Sequence, residues 1–152
     1  MQTPHTHDPP RLLAPAQSAV ATFAEHTGGG SIGSLSFSEN GYSLASAGSD
    51  GAAKIWDLRK LSVSHSLTLA PRASTAGAAP AAVTAVSFDV SGLYLAGGDA
   101  GGAVEVWGTK DWAPLAAFND CTGPVTGVAW GPRAASLVTS SADRSLKVYE
   151  LN

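Results

Sequence analysis

Hydrophobic residues alternate with polar or small residues in short runs, and glycine-rich or polar turns separate these runs. Such period-two alternation, bounded by turn residues, predicts β-strands rather than amphipathic helices. The same succession of strand, turn, strand, turn and strand occurs three times, in residues 32–58, 83–108 and 125–151. The pattern therefore predicts an all-β chain built from three repeated units.

Two aromatic landmarks mark each unit, at the ends of its first and third predicted strands. From the first unit to the second both landmarks recur after 51 residues, and from the second to the third both recur after 42. Propeller blades of four strands repeat every ~40–45 residues. An insert at residues 70–82, rich in Ala, Pro, Gly and Ser, explains the longer interval as a flexible surface loop. The landmarks are Phe37, Phe88 and Trp130, and then Trp56, Trp107 and Tyr149.

The repeat divides the chain into three predicted blades, at residues 19–65, 66–114 and 115–152, after a disordered Pro-rich leader at 1–18. An outer fourth strand is predicted just before each unit, at residues 19–23, 66–69 and 115–118. The strands that contain Val104, Val106, Leu146 and Val148 are predicted to be buried between neighbouring blades. Three blades cannot close a ring, since propellers have about 4–8. We therefore expect either a fragment of a longer protein or a chain that depends on another chain for solubility.

The charge, the cysteine content and the lengths of the apolar runs exclude several classes of function. The formal net charge is −3, and the nine Lys and Arg residues are scattered, which disfavours direct nucleic-acid binding because phosphate contacts need clustered cations. Cys121 is the one cysteine, so the sequence offers neither an internal disulfide nor a cysteine cluster for zinc. No apolar run approaches the ~20 residues of a membrane span. The chain is predicted to bind proteins, with no cofactor.

Four residues of the first unit, His26, Ser46, Asp50 and Trp56, allow two interpretations. Ser, His and Asp could form a hydrolytic triad. The same residue types could instead form a structural hydrogen-bonded network that joins a loop, a strand and a turn, which is the interpretation we favour.

The other two units keep less of this set. In the third unit Thr139 and Asp143 stand at the matching offsets before Tyr149, while Cys121 occupies the position of the histidine. In the second unit Gly97 and Gly101 fall at the serine and aspartate offsets. Two degenerate copies favour a scaffold over catalysis.

Several weaker features receive structural interpretations. The glycine runs at 28–30 and 97–102 precede no helical pattern, so they are predicted to be turns rather than phosphate loops. A metal could bind the leader residues His5, His7 and Asp8, but no further ligand lies near them. Lys54, Lys147 and Glu105 could line a partner-binding face, but we favour the interpretation that they face solvent from their strands.

Motifs at the ends of the strands connect the chain to a known family. Trp56 and Asp57 form the dipeptide for which WD repeats are named, and the chain resembles WD-repeat proteins. The stretches FSENGY (37–42), WDLRKL (56–61) and DRSLKVYEL (143–151) narrow the likeness. Over roughly residues 19–152 the chain resembles the C-terminal WD-repeat region of the pre-mRNA-processing factor 19 family. In that pattern the set His26, Ser46, Asp50 and Trp56 is structural, although the loop after His26 is two residues longer than usual.

The resemblance implies a nuclear protein of pre-mRNA splicing. Members of that family have an N-terminal U-box for ubiquitin ligation, a coiled coil that forms a homotetramer, and a seven-bladed propeller that recognises substrates and partners in a spliceosome-associated complex. This chain would correspond to the last three blades and would be a non-catalytic scaffold, since no U-box or heptad segment occurs in it. The alternative is a generic WD-repeat scaffold in an unrelated pathway.

Overall fold

The computed structural model describes residues 18–70, 77 and 79–151, in three antiparallel sheets. Sheet 1 contains β1 (Ile32–Phe37), β2 (Ser43–Gly48), β3 (Ala53–Asp57) and β4 (Ser62–Leu67). Sheet 2 contains β5 (Val83–Phe88), β6 (Tyr94–Asp99), β7 (Val104–Gly108) and β8 (Pro114–Phe118). Sheet 3 contains β9 (Val125–Trp130), β10 (Ser136–Ser141) and β11 (Leu146–Glu150).

The predicted all-β architecture of three repeated units is confirmed. Among the described residues the one helical element is a short 3₁₀ turn, Pro132–Ala134. Those residues include no helix with the length and apolar character needed to cross a membrane. The predicted leader, with His5, His7 and Asp8, lies outside the described residues apart from Ser18, as do positions 71–76 and 78 of the insert.

Short polar side chains fix the turns that join the strands. After β1, Asn40 Oδ1 accepts hydrogen bonds from the amides of Tyr42 and Ser43 at 2.8 and 3.1 Å. After β5, Asp89 plays the same part and accepts the amide of Tyr94 at 2.8 Å. Asn and Asp favour such turns because their side chains mimic a backbone acceptor.

The turn after β3 contains the WD dipeptide. Asp57 Oδ1 accepts the amide of Arg59 at 2.9 Å, and its other carboxylate oxygen lies 3.1 Å from the Arg59 guanidinium. The hydrogen bond from the Arg59 side chain is the main reason that the pKa of Asp57 falls to about 2. The guanidinium also lies 4.7 Å from the centre of the Tyr42 ring. The WDLRKL stretch thus folds as a locally closed turn on the surface.

The outer strands belong to different units from those predicted. β4 pairs with β3 and β8 pairs with β7, so each outer strand follows the three inner strands of its sheet. The reason is that a short turn lets consecutive antiparallel strands pair directly. Residues 19–23 do not form the predicted strand, because they pair with no strand among the described residues. Phe23 instead packs on Trp56, with ring centres 4.8 Å apart.

Two apolar clusters fill the junctions between the sheets. Sheet 2 contributes alternate residues to both, as a strand covered on each face must. Its Leu95 and Trp107 belong to the cluster with sheet 1, and its Val104 and Val106 to the cluster with sheet 3. Sheet 1 contributes Ala45, Ala47, Ala53 and Ile55, while sheet 3 contributes Val125 and Leu137.

The predicted burial of the last strand is wrong for Leu146 and Val148. These residues occupy the repeat positions of Val104 and Val106, which are 1% and 3% exposed. In β11 they are 74% and 67% exposed. The difference arises because sheets 1 and 2 are each followed by a packed sheet, whereas no described residue covers this face of sheet 3.

Candidate functional site

The four predicted residues of the first unit come together on sheet 1, at its inner strands β2 and β3 and the loop and turn beside them. His26 Nε2 lies 2.7 Å from Ser46 Oγ, and His26 Nδ1 lies 3.0 Å from both carboxylate oxygens of Asp50. The indole nitrogen of Trp56 donates to Ser46 Oγ at 2.8 Å. The longer loop after His26 therefore does not displace the histidine from the network. A turn, a loop and two strands of the sheet meet in one hydrogen-bonded chain.

One assignment of protons satisfies every group in this network. The carboxylate of Asp50 can only accept, so Nδ1 of His26 donates to it. Trp56 can only donate, so Ser46 Oγ accepts from the indole and donates its own proton to His26 Nε2. Because each donor has an acceptor, the burial of these polar groups costs little.

Asp50 also holds the turn between β2 and β3. It accepts the amide of Thr27 at 3.0 Å and the amide of Ala52 at 3.2 Å. Burial alone would raise the pKa of Asp50, but the hydrogen bonds from Thr27, His26 and Ala52 outweigh it and lower the pKa below its ordinary value. The ionised carboxylate is thus the form that the fold stabilises.

The distances among Ser46, His26 and Asp50 resemble those of a catalytic triad. The serine, however, is buried, unlike the accessible nucleophile of a catalytic triad. Ser46 is 1% exposed and Trp56 is 2% exposed. Phe23 packs against the Trp56 ring, and the His26 ring centre lies 6.1 Å from that of Trp56. A nucleophile needs open space within about 3 Å of its oxygen for the reacting carbonyl. The covered serine leaves no such space, so the geometry suits a structural clamp.

The third sheet retains only the turn half of the network. Asp143 accepts the amide of Thr122 at 3.0 Å and the amide of Ser145 at 2.8 Å. The hydrogen bond from the Ser145 hydroxyl is the main cause that lowers the pKa of Asp143 well below its ordinary value. Asp143 thus joins the loop before β9 to the turn before β11, as Asp50 does in sheet 1.

The strand half of the third network is incomplete. Thr139 Oγ1 and the Tyr149 hydroxyl are both buried, and neither has a partner with hydrogen-bonding geometry among the described residues. Burial is the main cause that raises the pKa of the Tyr149 hydroxyl. Cys121, at the predicted histidine position, is 1% exposed. The structure thus places Cys121 at the predicted histidine position, and the hydrogen-bonded chain of sheet 1 is not repeated by the Thr139 and Tyr149 hydroxyls among the described residues.

In the second sheet an indole takes the space of the missing serine. A β-carbon added at Gly97 would lie 2.9 Å from the Trp107 ring, which is 2% exposed. The turn is held by Asp99, whose Oδ1 accepts the amide of Ala103 at 2.8 Å. Sequence offsets pointed to Gly101 as the turn position and missed Asp99.

The predicted solvent exposure of Glu105 is wrong. The side chain is 5% exposed, and its Oε2 accepts the amide of Ala70 at 2.8 Å. The reason is that β7 is an interior strand with both faces covered, so alternation alone does not give an exposed position. Glu105 therefore anchors the beginning of the insert. Lys54 and Lys147 are half-buried on their strands.

A second feature, which the sequence patterns did not predict, is a cavity of about 440 Å³ between sheets 2 and 3. Tyr94 and Trp130 both line it and are in ring contact, with ring centres 6.0 Å apart. Arg133 and Ala134 approach it from the turn after β9, and both have left-handed backbone conformations. The remaining lining residues are Val106, Leu115, Ala116, Ala135 and Leu151.

In the part of the chain that the structure describes, no group of three His, Cys, Asp or Glu side chains could hold a metal ion.

Proteins named pre-mRNA-processing factor 19 are similar to this chain. The one from Oryza sativa is 39% identical over 137 residues, which are 88% of this chain and 24% of that protein. Homolog 2 from Arabidopsis thaliana is 37% identical over 142 residues, or 90% of this chain and 24% of that protein. A protein transport protein of Chaetomium globosum is 33% identical over 138 residues, or 90% of this chain and 10% of that protein.

The chain thus spans about a quarter of the length of the first two relatives. Their similarity supports the predicted resemblance at the level of the WD-repeat region. A β-propeller family model, described as nucleolar protein 10-like, N-terminal domain, matches residues 26–152. That match covers all three sheets and the histidine of the first network. The chain belongs to this β-propeller family.

Proposed function

We propose that this chain is a protein-interaction scaffold that acts in pre-mRNA splicing. In this proposal it is the WD-repeat part of a ubiquitin ligase like pre-mRNA-processing factor 19, and it recognises substrates or partners. The main support is the 39% identity to the Oryza sativa protein over 88% of the chain. In this proposal the protein is located in the nucleus, and its partners are components of a spliceosome-associated complex and proteins marked for ubiquitination.

The physical properties of the chain suit protein recognition. Stacked sheets form a stiff support, and the turns at their edges present side chains to partners. The net charge of −3 disfavours a phosphate backbone as the ligand. Contacts with a ribonucleoprotein would then run through its proteins rather than its RNA.

Catalysis is not part of the proposed role of this segment. The covered Ser46 and the satisfied His26 form a clamp that stabilises sheet 1. Ubiquitin transfer and assembly of a homotetramer would belong to a U-box and a coiled coil elsewhere in the protein, with these sheets as the last three of seven blades. We expect that the chain alone, mixed with ubiquitin and its activating and conjugating enzymes, forms no conjugates.

Capture from nuclear extract tests the proposal. The immobilised chain should enrich splicing proteins over a Leu95→Asp variant, which disrupts the core because Leu95 is fully buried. A Val148→Lys variant serves as a second control, because it removes exposed apolar surface without touching the core. Enrichment by the wild type and by Val148→Lys, but not by Leu95→Asp, supports the proposal. Equal capture by all three, or the absence of splicing proteins, contradicts it.

A second candidate is a scaffold in another pathway. The 33% identity to a protein transport protein over 90% of the chain favours this alternative, because WD-repeat sheets of one sequence type serve different assemblies. The same capture experiment in whole-cell extract separates the two. Enrichment of transport proteins without splicing proteins would favour the alternative.

A further inference from the structure

The turn that contains the WD dipeptide holds two exposed side chains in one arrangement. The Arg59 guanidinium lies 4.7 Å from the centre of the Tyr42 ring, and its Nε and Nη2 atoms donate to Asp57 at 3.3 and 3.1 Å. Tyr42 is 50% exposed, and the side chain of Arg59 is 63% exposed. We call these two residues the Tyr42–Arg59 pair. The pair is ordered although it lies on the surface.

Sheet 2 joins the same two turns without these residues. In sheet 1 the amide of Leu58 donates to the Tyr42 carbonyl at 2.8 Å, and in sheet 2 the amide of Thr109 donates to the Leu93 carbonyl at 2.9 Å. At the repeat positions of Tyr42, Asp57 and Arg59, sheet 2 has Leu93, Gly108 and Lys110. The backbone contact thus needs neither the ring nor the ion pair. Because exposed ion pairs contribute little to stability, folding alone does not explain the Tyr42–Arg59 pair.

The repeat positions of the pair are exposed even where another sheet packs in front of them. Sheet 2 packs on sheet 1 through a shared apolar cluster, yet Leu93 is 60% exposed and Lys110 is also exposed. These two residues are the equivalents of Tyr42 and Arg59. The pair therefore belongs to an edge that stacked sheets leave open, where the turns after the first and third strands of a sheet meet.

The guanidinium retains donors for a partner. Asp57 accepts from Nε and Nη2, so the Nη1 hydrogens and the second Nη2 hydrogen remain on the other edge of the group. Two parallel N–H groups on one edge match the two oxygens of a carboxylate. Lys60, the next residue, is exposed and adds a second cation, while the exposed Glu39 lies beside Gly92 of sheet 2. Because the pair is already ordered, a partner loses little contact energy in fixing it.

We propose that the Tyr42–Arg59 pair is an interaction site for a peptide segment of a partner protein in which a carboxylate side chain stands next to an apolar one. The carboxylate binds the open edge of Arg59, and the apolar side chain packs on the Tyr42 ring. Tyrosine and arginine are among the residue types that most often dominate the binding energy of interfaces. The choice of a protein partner rests on the proposed function, whereas the geometry of the pair does not.

Selection of peptides tests the site without a known partner. A phage-displayed library of random peptides is selected on the immobilised chain, and the enriched peptides should share an Asp or Glu beside an aromatic or aliphatic residue. One of them, made synthetically, should shift the NMR signals of the Arg59 Nε–H group and the Tyr42 ring, with a dissociation constant of about 100 μM or tighter. Its variant with an amide in place of the acid should bind at least about fivefold more weakly.

Sheet 2 supplies variants that should fold. Tyr42→Leu and Arg59→Lys each introduce the residue that sheet 2 has at the same repeat position. Arg59→Lys keeps the charge but loses the planar edge, and Tyr42→Leu loses the ring, so each should weaken binding at least about fivefold. Lys110→Gln is the matched control, because Lys110 is exposed at the equivalent position of sheet 2. Its affinity should equal that of the wild type.

The proposal is overturned if selection enriches no peptide, if Arg59→Lys and Tyr42→Leu, with unchanged amide spectra, bind the enriched peptide like the wild type, or if Lys110→Gln weakens binding as much as they do. The selection uses purified chain, so its failure would leave the capture of splicing proteins untouched. Failure of that capture with a positive selection would instead remove the splicing pathway and keep the site.

Discussion

At the scale of single residues, the first sheet is stabilised by a relay of hydrogen bonds from Trp56 through Ser46 and His26 to Asp50. Each member bonds to a residue distant in sequence, so the relay joins the loop before β1 to the interior strands. The third sheet keeps the same positions with Thr139 and Tyr149, but their hydroxyls have no hydrogen-bond partner among the described residues. The aspartate turn is present in both sheets.

The lowered pKa of Asp50 predicts how stability depends on pH. Its folded-state pKa is below the unfolded value, so the stabilisation is fully present above the unfolded pKa and is lost as pH falls through the folded pKa. The free energy of unfolding should therefore decline from about pH 5 towards pH 2. Asp57 and Asp143 act in the same direction.

Asp50→Asn should flatten this decline, because the amide does not titrate, and should lower stability at pH 7. Urea unfolding at several pH values measures both effects. An unchanged pH slope in Asp50→Asn would show that Asp50 does not contribute to it.

Because the buried Thr139 hydroxyl has no hydrogen-bond partner among the described residues, its removal should change the free energy of unfolding little. Thr139→Val replaces an unpaired buried hydroxyl by a methyl group, so the free energy of unfolding should stay the same or rise by up to about 1 kcal/mol. Thr84→Val is the matched control, because Thr84 Oγ1 donates to the carbonyl of Val125 in the next sheet. It should lose about 1 kcal/mol. Equal losses in both variants, measured by urea unfolding, would mean that Thr139 has a partner after all.

At the scale of elements, periodicity predicted the three inner strands of every sheet because aromatic landmarks end two of them. It could not assign the outer strands, since sheet membership depends on which neighbour supplies the hydrogen bonds. Alternation also misplaced Glu105, because β7 is covered on both faces. The cavity escaped prediction because it depends on Ala116 and Arg133, which come together only when two sheets stack.

Placing the serine of the first sheet at the equivalent position of the second sheet should destabilise the chain. Gly97→Ser places a β-carbon 2.9 Å from the ring of Trp107, which is buried and cannot move freely. We expect a loss of about 1–3 kcal/mol in the free energy of unfolding, the usual range for overpacking. Thermal and urea unfolding would measure it. A stabilised variant would mean that the sheet can rebuild the serine–indole contact.

At the scale of the whole molecule, the same face is apolar in each sheet, and the exposed face of sheet 3 repeats the surface that sheets 1 and 2 bury. Leu146 and Val148 are there the equivalents of Val104 and Val106. Exposed apolar strands of this kind favour association. Concentrated solutions of the chain should therefore self-associate through this face.

The same substitution at two equivalent repeat positions distinguishes an exposed apolar residue from one packed in the core. Val148→Lys should reduce light scattering at high concentration and change the free energy of unfolding by less than about 0.5 kcal/mol, as surface changes do. Val106→Lys, at the same repeat position but 3% exposed, should unfold the chain. If Val148→Lys also unfolds the chain, the outer face of sheet 3 is covered.

The central claim is that this chain uses its Ser–His–Asp group to hold a sheet together. The most direct measurement is the free energy of unfolding of Ser46→Ala against the wild type. Loss of the hydroxyl leaves the buried Trp56 indole and His26 Nε2 without partners, so we predict a decrease of about 1–3 kcal/mol. An unchanged free energy of unfolding would contradict the account, because a serine kept for catalysis can be removed without loss of stability.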